Sequence, residues 1–104
     1  AGVLVVNNSG MVEFVNKKGE ELLARDKGSI YRRKISDLLY FSQKVFSTSQ
    51  WNELILSGQN TIETQLLKAS GEHRQAELTL SRFQLAGENC YLLIFFDVTE
   101  RHAI

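Results

Sequence analysis

The sequence predicts an α+β domain built on one antiparallel sheet. Two short runs of β-branched and apolar residues open the chain, and several short segments with helical spacing fill its middle. Three longer runs with strand character, joined by clusters of turn-forming residues, complete it. Strands and helices that are kept apart along a chain are typical of α+β folds with an antiparallel sheet. The 104 residues are enough for one domain with a single core.

The opening of the chain predicts a β-hairpin. Gly2–Val6 is apolar and β-branched, which favours a strand, and the turn-forming run Asn-Asn-Ser-Gly follows it. Met11 to Val15 is expected to be the second strand. In that strand Glu13 is placed on the wetter face, with Val12 and Phe14 on the other.

The middle of the chain is predicted to be helical in three segments. Asn16 is a good N-cap for the first helix, which is expected to end before Gly28. From Ile30 to Tyr40 the apolar residues recur at helical spacing. A third helix is expected from Gln50 to Leu56, with Trp51 among the apolar residues on one side.

The last three predicted strands carry the strongest signal. Strands are expected at Thr61–Lys68 and His73–Phe83, and polar and apolar residues alternate in the second of them. The run from Cys90 to Phe96 is apolar on both faces, which is typical of a buried strand. Asp97 and Glu100 then have the spacing of a capping box, so this strand is expected to feed directly into a helix.

Alternation assigns the side chains of the last strand to two faces. Tyr91, Leu93 and Phe95 point one way, and Leu92, Ile94 and Phe96 point the other, because successive residues of a strand alternate.

The amino-acid composition limits the classes of partner and the cellular compartment that this chain is expected to have. The 12 basic and 12 acidic residues balance, and no basic stripe favours nucleic acid. Cys90 is the single cysteine, which excludes an internal disulfide and indicates a reducing, cytoplasmic compartment. No run is apolar enough to span a bilayer, so we expect no membrane contact by this domain. Since the sequence begins with Ala1 and not with methionine, we expect it to be a piece of a longer protein.

Four segments together resemble the PAS domain family. The last of them, Asp-Val-Thr-Glu-Arg, is similar to the Asp-Ile-Thr-Glu-Arg signature that closes many PAS cores, with Val98 in place of isoleucine. The resemblance implies a five-stranded antiparallel sheet in the order 2-1-5-4-3, with the short helices forming a pocket on one face. The four segments are Gly2–Asn7, Asn16 with Glu21–Leu23, Lys68–Glu72 and Asp97–Arg101.

The resemblance also implies a role. PAS domains serve as sensory or interaction modules in signalling proteins such as histidine kinases, diguanylate cyclases and transcription regulators. The domain is therefore expected to bind a small molecule or a partner and to relay the signal to an effector domain on the same chain. The signal is expected to pass through Asp97, Thr99, Glu100 and Arg101, with Asp97 or Thr99 bonding backbone groups at the turn. The alternative is a ligand-free dimerisation module that sets the spacing of its neighbours.

The residues argue against the common PAS cofactors. Leu66, Ala76 and Phe95 match the positions of polar flavin contacts in light-sensing members, yet their side chains cannot hydrogen-bond a flavin. The helical middle also has no cysteine or histidine, and we expect His73 and His102 to be solvated. We therefore expect no flavin, no haem and no metal, while an unknown small ligand stays possible.

The predicted interior leaves two alternatives open. Side chains that face the helices either fill the space as an ordinary core or leave room for a small apolar ligand. Trp51 could stack on the ring of a non-covalently bound FAD, or it belongs to the core. The ligand-pocket candidates are Leu66, Ala76, Leu78, Leu93, Phe95 and Trp51, and the further residues expected to face the helices are Leu4, Val6 and Leu80.

No catalytic site can be assembled from the sequence. Asp26, Asp37 and Glu53 are scattered carboxylates without an evident nucleophile or base beside them. Neither a phosphate-binding glycine loop nor a catalytic triad is present as a motif. We therefore expect this domain alone to have no enzymatic activity.

The opposite face of the sheet is expected to bind a partner. In the strand order of the family the first and last strands are neighbours, so their outward side chains would form one apolar patch. A contiguous apolar patch usually marks an interaction site, and we expect a homodimer or a docked flanking helix there. The patch consists of Val3, Val5, Ile94 and Phe96, bordered by Glu77, Thr79 and Ser81.

Overall fold

The computed structural model describes residues 1–40, 48–58 and 61–98. Its described strands form one antiparallel sheet in the order β2-β1-β6-β5-β4-β3. The predicted five-stranded order is confirmed, and the two-residue β3 adds a short strand at the edge beside β4. The strands are β1 Gly2–Val6, β2 Val12–Val15, β3 Leu39–Tyr40, β4 Thr61–Leu67, β5 His73–Leu85 and β6 Glu88–Asp97.

The helices lie where the chain crosses between the two groups of strands. In the part of the chain that the structure describes, three of them are α-helices and one short segment is a 3-10 helix. Where the third predicted helix begins at Gln50, the structure places its first residue at Thr48. They are α1 Lys17–Leu23, α2 Lys27–Ile30, the 3-10 helix Ile35–Asp37 and α3 Thr48–Leu56.

The helix predicted from Ile30 to Tyr40 is wrong. Arg32 takes a left-handed backbone conformation with φ of 64°, which interrupts a helix. Its N–H donates to the carbonyl of Val12, and the Val12 N–H donates to the carbonyl of Arg33. Backbone pairing with the start of β2 therefore replaces the helical bonds that the local spacing favoured.

The first helix begins at the predicted N-cap. The Oδ1 atom of Asn16 accepts from the Gly19 N–H at 2.8 Å and from the Val3 N–H at 2.9 Å, and its Nδ2 donates to the carbonyl of Ala1. One side chain thus satisfies a donor of α1 and fixes α1 to β1. A Cβ at Gly19 would lie 2.8 Å from a methyl group of Val15, so a larger residue would push the helix off the sheet.

A β-bulge overturns the predicted position of Phe14. The pairing of β1 with β2 shifts between Val5 and Val6, so that Val12 and Val15 are both buried. Because the bulge changes the alternation, Phe14 lies on the outer face with 45% of its surface exposed.

The core lies between one face of the sheet, the inner face, and the helices. The central strands β1, β6 and β5 contribute alternate residues to it, as the sequence pattern predicts. All eight strand residues expected to face the helices are buried: Leu4, Val6, Leu66, Ala76, Leu78, Leu80, Leu93 and Phe95.

Candidate functional site

The six ligand-pocket candidates lie in one apolar cluster. On the inner face Leu78 of β5 is paired with Phe95 of β6, and Ala76 is the preceding inward residue of β5. Leu66, Leu93 and Trp51 belong to the same buried cluster, with Trp51 contributed by α3. The structure thus brings these side chains together, and none of the five strand residues among them offers a polar side-chain atom to a ligand.

A buried ion pair lies where the last strand ends. Asp97 follows Phe95 on the inner face, and only 5% of its side chain is exposed. Its Oδ2 lies 2.8 Å from Nη2 of Arg74, whose side chain is 34% exposed. Because burial of an isolated carboxylate is costly, Arg74 compensates the charge of Asp97 inside the protein.

The ion pair is adjacent to the predicted signal-coupling segment. Val98, the next residue, is helical and is the last one described. Thr99, Glu100 and Arg101 lie outside the described residues, so the expected cap at this turn is not defined. Arg74 could not be predicted as the partner of Asp97 from the sequence, because its proximity to Asp97 depends on the register of β5 and β6.

A second polar cluster lies at the other end of the inner face. The Oδ1 atom of Asn52 in α3 accepts from the Tyr91 hydroxyl at 3.0 Å and from Nη1 of Arg82 at 3.1 Å. Trp51 packs edge-on against Tyr91, with ring centroids 5.0 Å apart and an angle of 82° between the ring planes. Neither Asn52 nor Arg82 was singled out in the sequence, since nothing local shows that they meet Tyr91.

The environment of Tyr91 changes its acidity. Burial raises the pKa of the Tyr91 phenol above its ordinary value, and this effect outweighs the opposing influences of the Arg82 guanidinium and the Asn52 hydrogen bond. The folded protein therefore holds this proton to higher pH than the unfolded chain does. The associated stability is fully present below the unfolded pKa of about 10 and is lost as pH rises through the folded pKa.

An alkaline titration should isolate this phenol. The chain has three tyrosines, and we expect one of them to ionise at higher pH than free tyrosine. Tyr91→Phe should remove that late step and reduce the loss of stability above about pH 10. Phenolate absorbance measures the first effect and urea unfolding as a function of pH measures the second. If the late ionisation step persists in Tyr91→Phe, that step belongs to another residue.

The four predicted patch residues share the outer face of the sheet. Val3 is paired with Ile94, and both are half-buried, as is Val5. Phe96 is 43% exposed. Leu92, opposite Val5, and Phe14, on the far side of Val5, extend the patch across three strands. We call these six residues the outer patch: Phe14, Val3, Val5, Leu92, Ile94 and Phe96.

The polar border lies directly beside this patch. On β5, Glu77 is paired with Phe96, Thr79 with Ile94 and Ser81 with Leu92. Glu63 of β4 is in turn paired with Glu77, so the side of the patch toward β4 is acidic.

The histidines, the cysteine and the carboxylates considered as cofactor ligands or catalytic groups do not form a common site among the described residues. His73 is exposed, and its Nδ1 lies 3.0 Å from Oε1 of Gln65. His102 lies outside the described residues, and Cys90 is buried. Asp26 caps α2 by accepting from the Ser29 N–H at 2.9 Å. Within the described ranges, no three His, Cys, Asp or Glu side chains are grouped as metal ligands.

The other two carboxylates considered for catalysis are also distributed over the helices. Asp37 belongs to the 3-10 helix and Glu53 is exposed on α3. Among the residues that the structure describes, no helix has the length and apolar character to cross a membrane.

Residues 1–100 match the family model of the PAS domain. The chain belongs to the PAS domain family. PAS domains are typically sensory and generally non-catalytic modules, and histidine kinases are among the proteins that contain them. A comparison with curated proteins gave no match.

Solved PAS structures have the same fold. A PAS domain from Desulfitobacterium hafniense is 17% identical, with a TM-score of 0.77 over 92% of this chain and 91% of that one. The PAS domain of an HTR-like protein from Haloarcula marismortui is 24% identical, with a TM-score of 0.71 over 92% and 79%. A PAS domain from a two-component sensor histidine kinase is 13% identical, with a TM-score of 0.74 over 92% and 83%. At these identities the likeness concerns the fold alone.

Proposed function

We propose that this PAS domain is a sensor that binds a small apolar molecule, or a partner, and relays the signal through its C-terminal end. The receiver would be an effector domain on the same chain, such as a histidine kinase, a diguanylate cyclase or a transcription regulator. The observation that carries this proposal is the buried ion pair between Arg74 and Asp97, placed between the apolar interior and Val98.

The register of the central strands supports a path from the interior to this ion pair. Ala76 and Asp97 are paired across β5 and β6, and so are Leu78 and Phe95. Each charged residue is therefore two positions from an interior residue on its own strand: Arg74 from Ala76, and Asp97 from Phe95. A ligand that displaces Ala76 or Phe95 would change the geometry of the ion pair.

Such a change would bias the start of the segment that leaves the domain. A ligand can shift an equilibrium only by its differential affinity for the two states. The ion pair provides two distinguishable states, paired and separated, and separation has a free-energy cost because Asp97 is buried, although Arg74 is 34% exposed and can be hydrated. Val98 follows Asp97 directly, so the proposed switch acts on the first helical residue of the exit.

The sensing step can be tested with a ligand screen. Native mass spectrometry of the purified protein, followed by a thermal-shift screen of apolar metabolites, should identify a stoichiometric ligand. Ala76→Leu should abolish the thermal shift, because the larger side chain occupies the interior. Gln75→Leu is the matched control, since the same side chain is added one residue earlier on the exposed outer face. Repeated absence of a ligand would favour the dimerisation module.

The relay step needs a separate measurement. Ligand should change amide hydrogen exchange in the peptide that covers residues 96–104, and Arg74→Lys should weaken this response while ligand still binds. If ligand binds and exchange at the exit is unchanged, the sensor part of the proposal stands and the relay part is wrong.

We also propose that the outer patch is a homodimer interface. Six apolar side chains on three adjacent strands form a surface that can meet its own copy around a twofold axis. The residues Glu77, Thr79 and Ser81 beside the patch would form the polar, solvent-accessible rim of this interface.

Phe96→Glu should convert the dimer to a monomer. Phe96 is 43% exposed, so a charge there is tolerated by the fold but would be buried without a partner in the dimer. Light scattering measures the mass, and circular dichroism checks the fold. Leu56→Glu is the control, because Leu56 is 79% exposed on α3 and away from the outer face. A monomeric wild type, or a folded Phe96→Glu variant that stays dimeric, would contradict the proposal.

We further propose a colourless, cytoplasmic domain. Leu66, Ala76 and Phe95 provide no side-chain polar atom for a flavin, and the single cysteine, Cys90, is buried without a second cysteine to oxidise with. The visible absorption spectrum of the purified protein should be flat. A band in the blue, or a haem Soret band, would contradict this, and Trp51 would be the first residue to examine as a stacking partner.

A further inference from the structure

We propose that Asn52 is a latch that holds α3 closed over the Tyr91 end of the interior, and that α3 acts as a lid. The admission of an apolar ligand by this lid rests on the proposed function. The opening of α3 itself is a property of the domain and can be measured without any ligand.

Three apolar side chains of α3 pack against the core, and one of them is buried. Of the α3 residues whose burial is described, Trp51 is buried, with 3% of its surface exposed. Leu54 and Ile55 are half-buried against the core, and Leu56 is 79% exposed. With one buried apolar side chain, α3 is held on the core by less apolar surface than the inner-face strands are, and elements with few buried apolar contacts open at the lowest free-energy cost.

Two of the hydrogen bonds that join α3 to the sheet meet at one atom. Tyr91 and Arg82 are paired across β6 and β5, and both donate to Oδ1 of Asn52. A carbonyl oxygen has two lone pairs, so Asn52 uses its full acceptor capacity at this oxygen to join α3 to two strands. Loss of this single side chain therefore removes both bonds.

The latch is built from groups that can be released. Arg82 is exposed and Asn52 is half-buried, so water can take the place of the Asn52 oxygen when α3 moves away. Exchange of a protein hydrogen bond for one to water has a small net cost, which is what a reversible closure requires. A buried apolar anchor alone would not supply this reversibility or this orientation.

The position of α3 determines which part of the interior would be uncovered when it opens. Along the inner face of β6 the order is Tyr91, Leu93, Phe95 and Asp97. Withdrawal of Trp51 would uncover the Tyr91 ring and, beyond it, the apolar row that contains Leu93. An apolar ligand would thus enter at the Tyr91 end, while the ion pair with Arg74 lies at the opposite end of the same strand.

The closure can be followed with the chain's single tryptophan. Trp51 is that residue, so acrylamide quenching of its fluorescence and amide exchange of α3 report directly on the lid. Asn52→Ala should increase quenching and accelerate exchange in α3 by about tenfold, as expected for the loss of these hydrogen bonds. Tyr91→Phe should give a smaller effect in the same direction, because the ring contact with Trp51 is kept and one bond is lost.

A matched control separates the latch from a general loss of stability. Asn89 accepts from Nε2 of Gln84 on the exposed part of the β5–β6 hairpin, so Asn89→Ala removes a comparable side chain without touching α3. Asn89→Ala should leave Trp51 quenching unchanged. If α3 exchanges its amide hydrogens in Asn52→Ala as slowly as in the wild type, the latch proposal is wrong. A uniform increase of the exchange rate over the whole sheet would also overturn it. If α3 opens as expected but the metabolite screen finds no ligand, the proposed sensing fails and the latch stands.

Discussion

Leu93→Ala should lower the free energy of unfolding by about 2–5 kcal/mol, the range for truncating a buried leucine. Leu93 has no exposed surface, and it lies in β6 between Leu4 of β1 and Leu80 of β5, both buried. A cavity there cannot be filled by a shift of one edge strand, since neighbours on both sides are themselves fixed in the sheet. Because domains are stable by only about 5–15 kcal/mol, this change alone removes a large fraction of the total. Urea unfolding of both proteins gives the difference.

A surface leucine provides the comparison for this prediction. Leu56 is 79% exposed at the end of α3, so Leu56→Ala should change the free energy of unfolding by less than about 0.5 kcal/mol. A cost below about 1 kcal/mol for Leu93→Ala would show that the centre of the sheet is loosely packed. That result would favour an interior with room for a ligand over a filled core.

The sheet could be predicted because its signals are local. The alternation in β5 and the turn-forming residues between strands each act within a few positions, and the antiparallel hairpins follow from them. The N-cap at Asn16 is likewise a local rule, and its side chain does accept from the Gly19 N–H. The burial of Leu78, Leu80 and Leu93 then follows from which face the helices cover.

The errors occurred where pairing with a distant segment decides the structure. Residues 32 and 33 bond to Val12 rather than continuing a helix, which apolar spacing alone could not show. Phe14 is exposed because a bulge in the pairing with β1 changes the alternation of buried and exposed residues. No residue type in β2 predicts that bulge. In both places long-range backbone bonds override the local pattern.

The residues of the candidate site also differ in whether the sequence could predict them. Its apolar residues were predictable, since each occupies an inward position of a recognisable strand. Its polar contacts were not, because they join residues far apart in sequence: Tyr91 and Asn52 are 39 positions apart. Arg74 meets Asp97 only through the register of β5 and β6. The register fixes which charged side chain lies beside a buried carboxylate, and local sequence does not encode it.

Arg74→Met should cost about 3 kcal/mol of stability, the lower end of the range for breaking a buried ion pair. The Asp97 carboxylate, with 5% of its side chain exposed, would lose the guanidinium now 2.8 Å away. We expect the lower end because Arg74 is itself 34% exposed, so water reaches part of the pair. Methionine keeps much of the length and apolar contact of the arginine side chain, so the substitution mainly removes the charge and the hydrogen-bond donors of the guanidinium.

A double-mutant cycle with Asp97→Asn separates the pair from its surroundings. If the two side chains act mainly on each other, Arg74→Met should cost much less in the Asp97→Asn background than in the wild type, with a coupling of at least about 1 kcal/mol. Amide exchange of residues 96–104 should rise in Arg74→Met more than in the strands, because the proposed switch is then held in its separated state. Additive costs, or an exit whose exchange is unaffected, would show that the ion pair stabilises the fold without controlling the exit, and the route from the interior to the effector would have to run elsewhere.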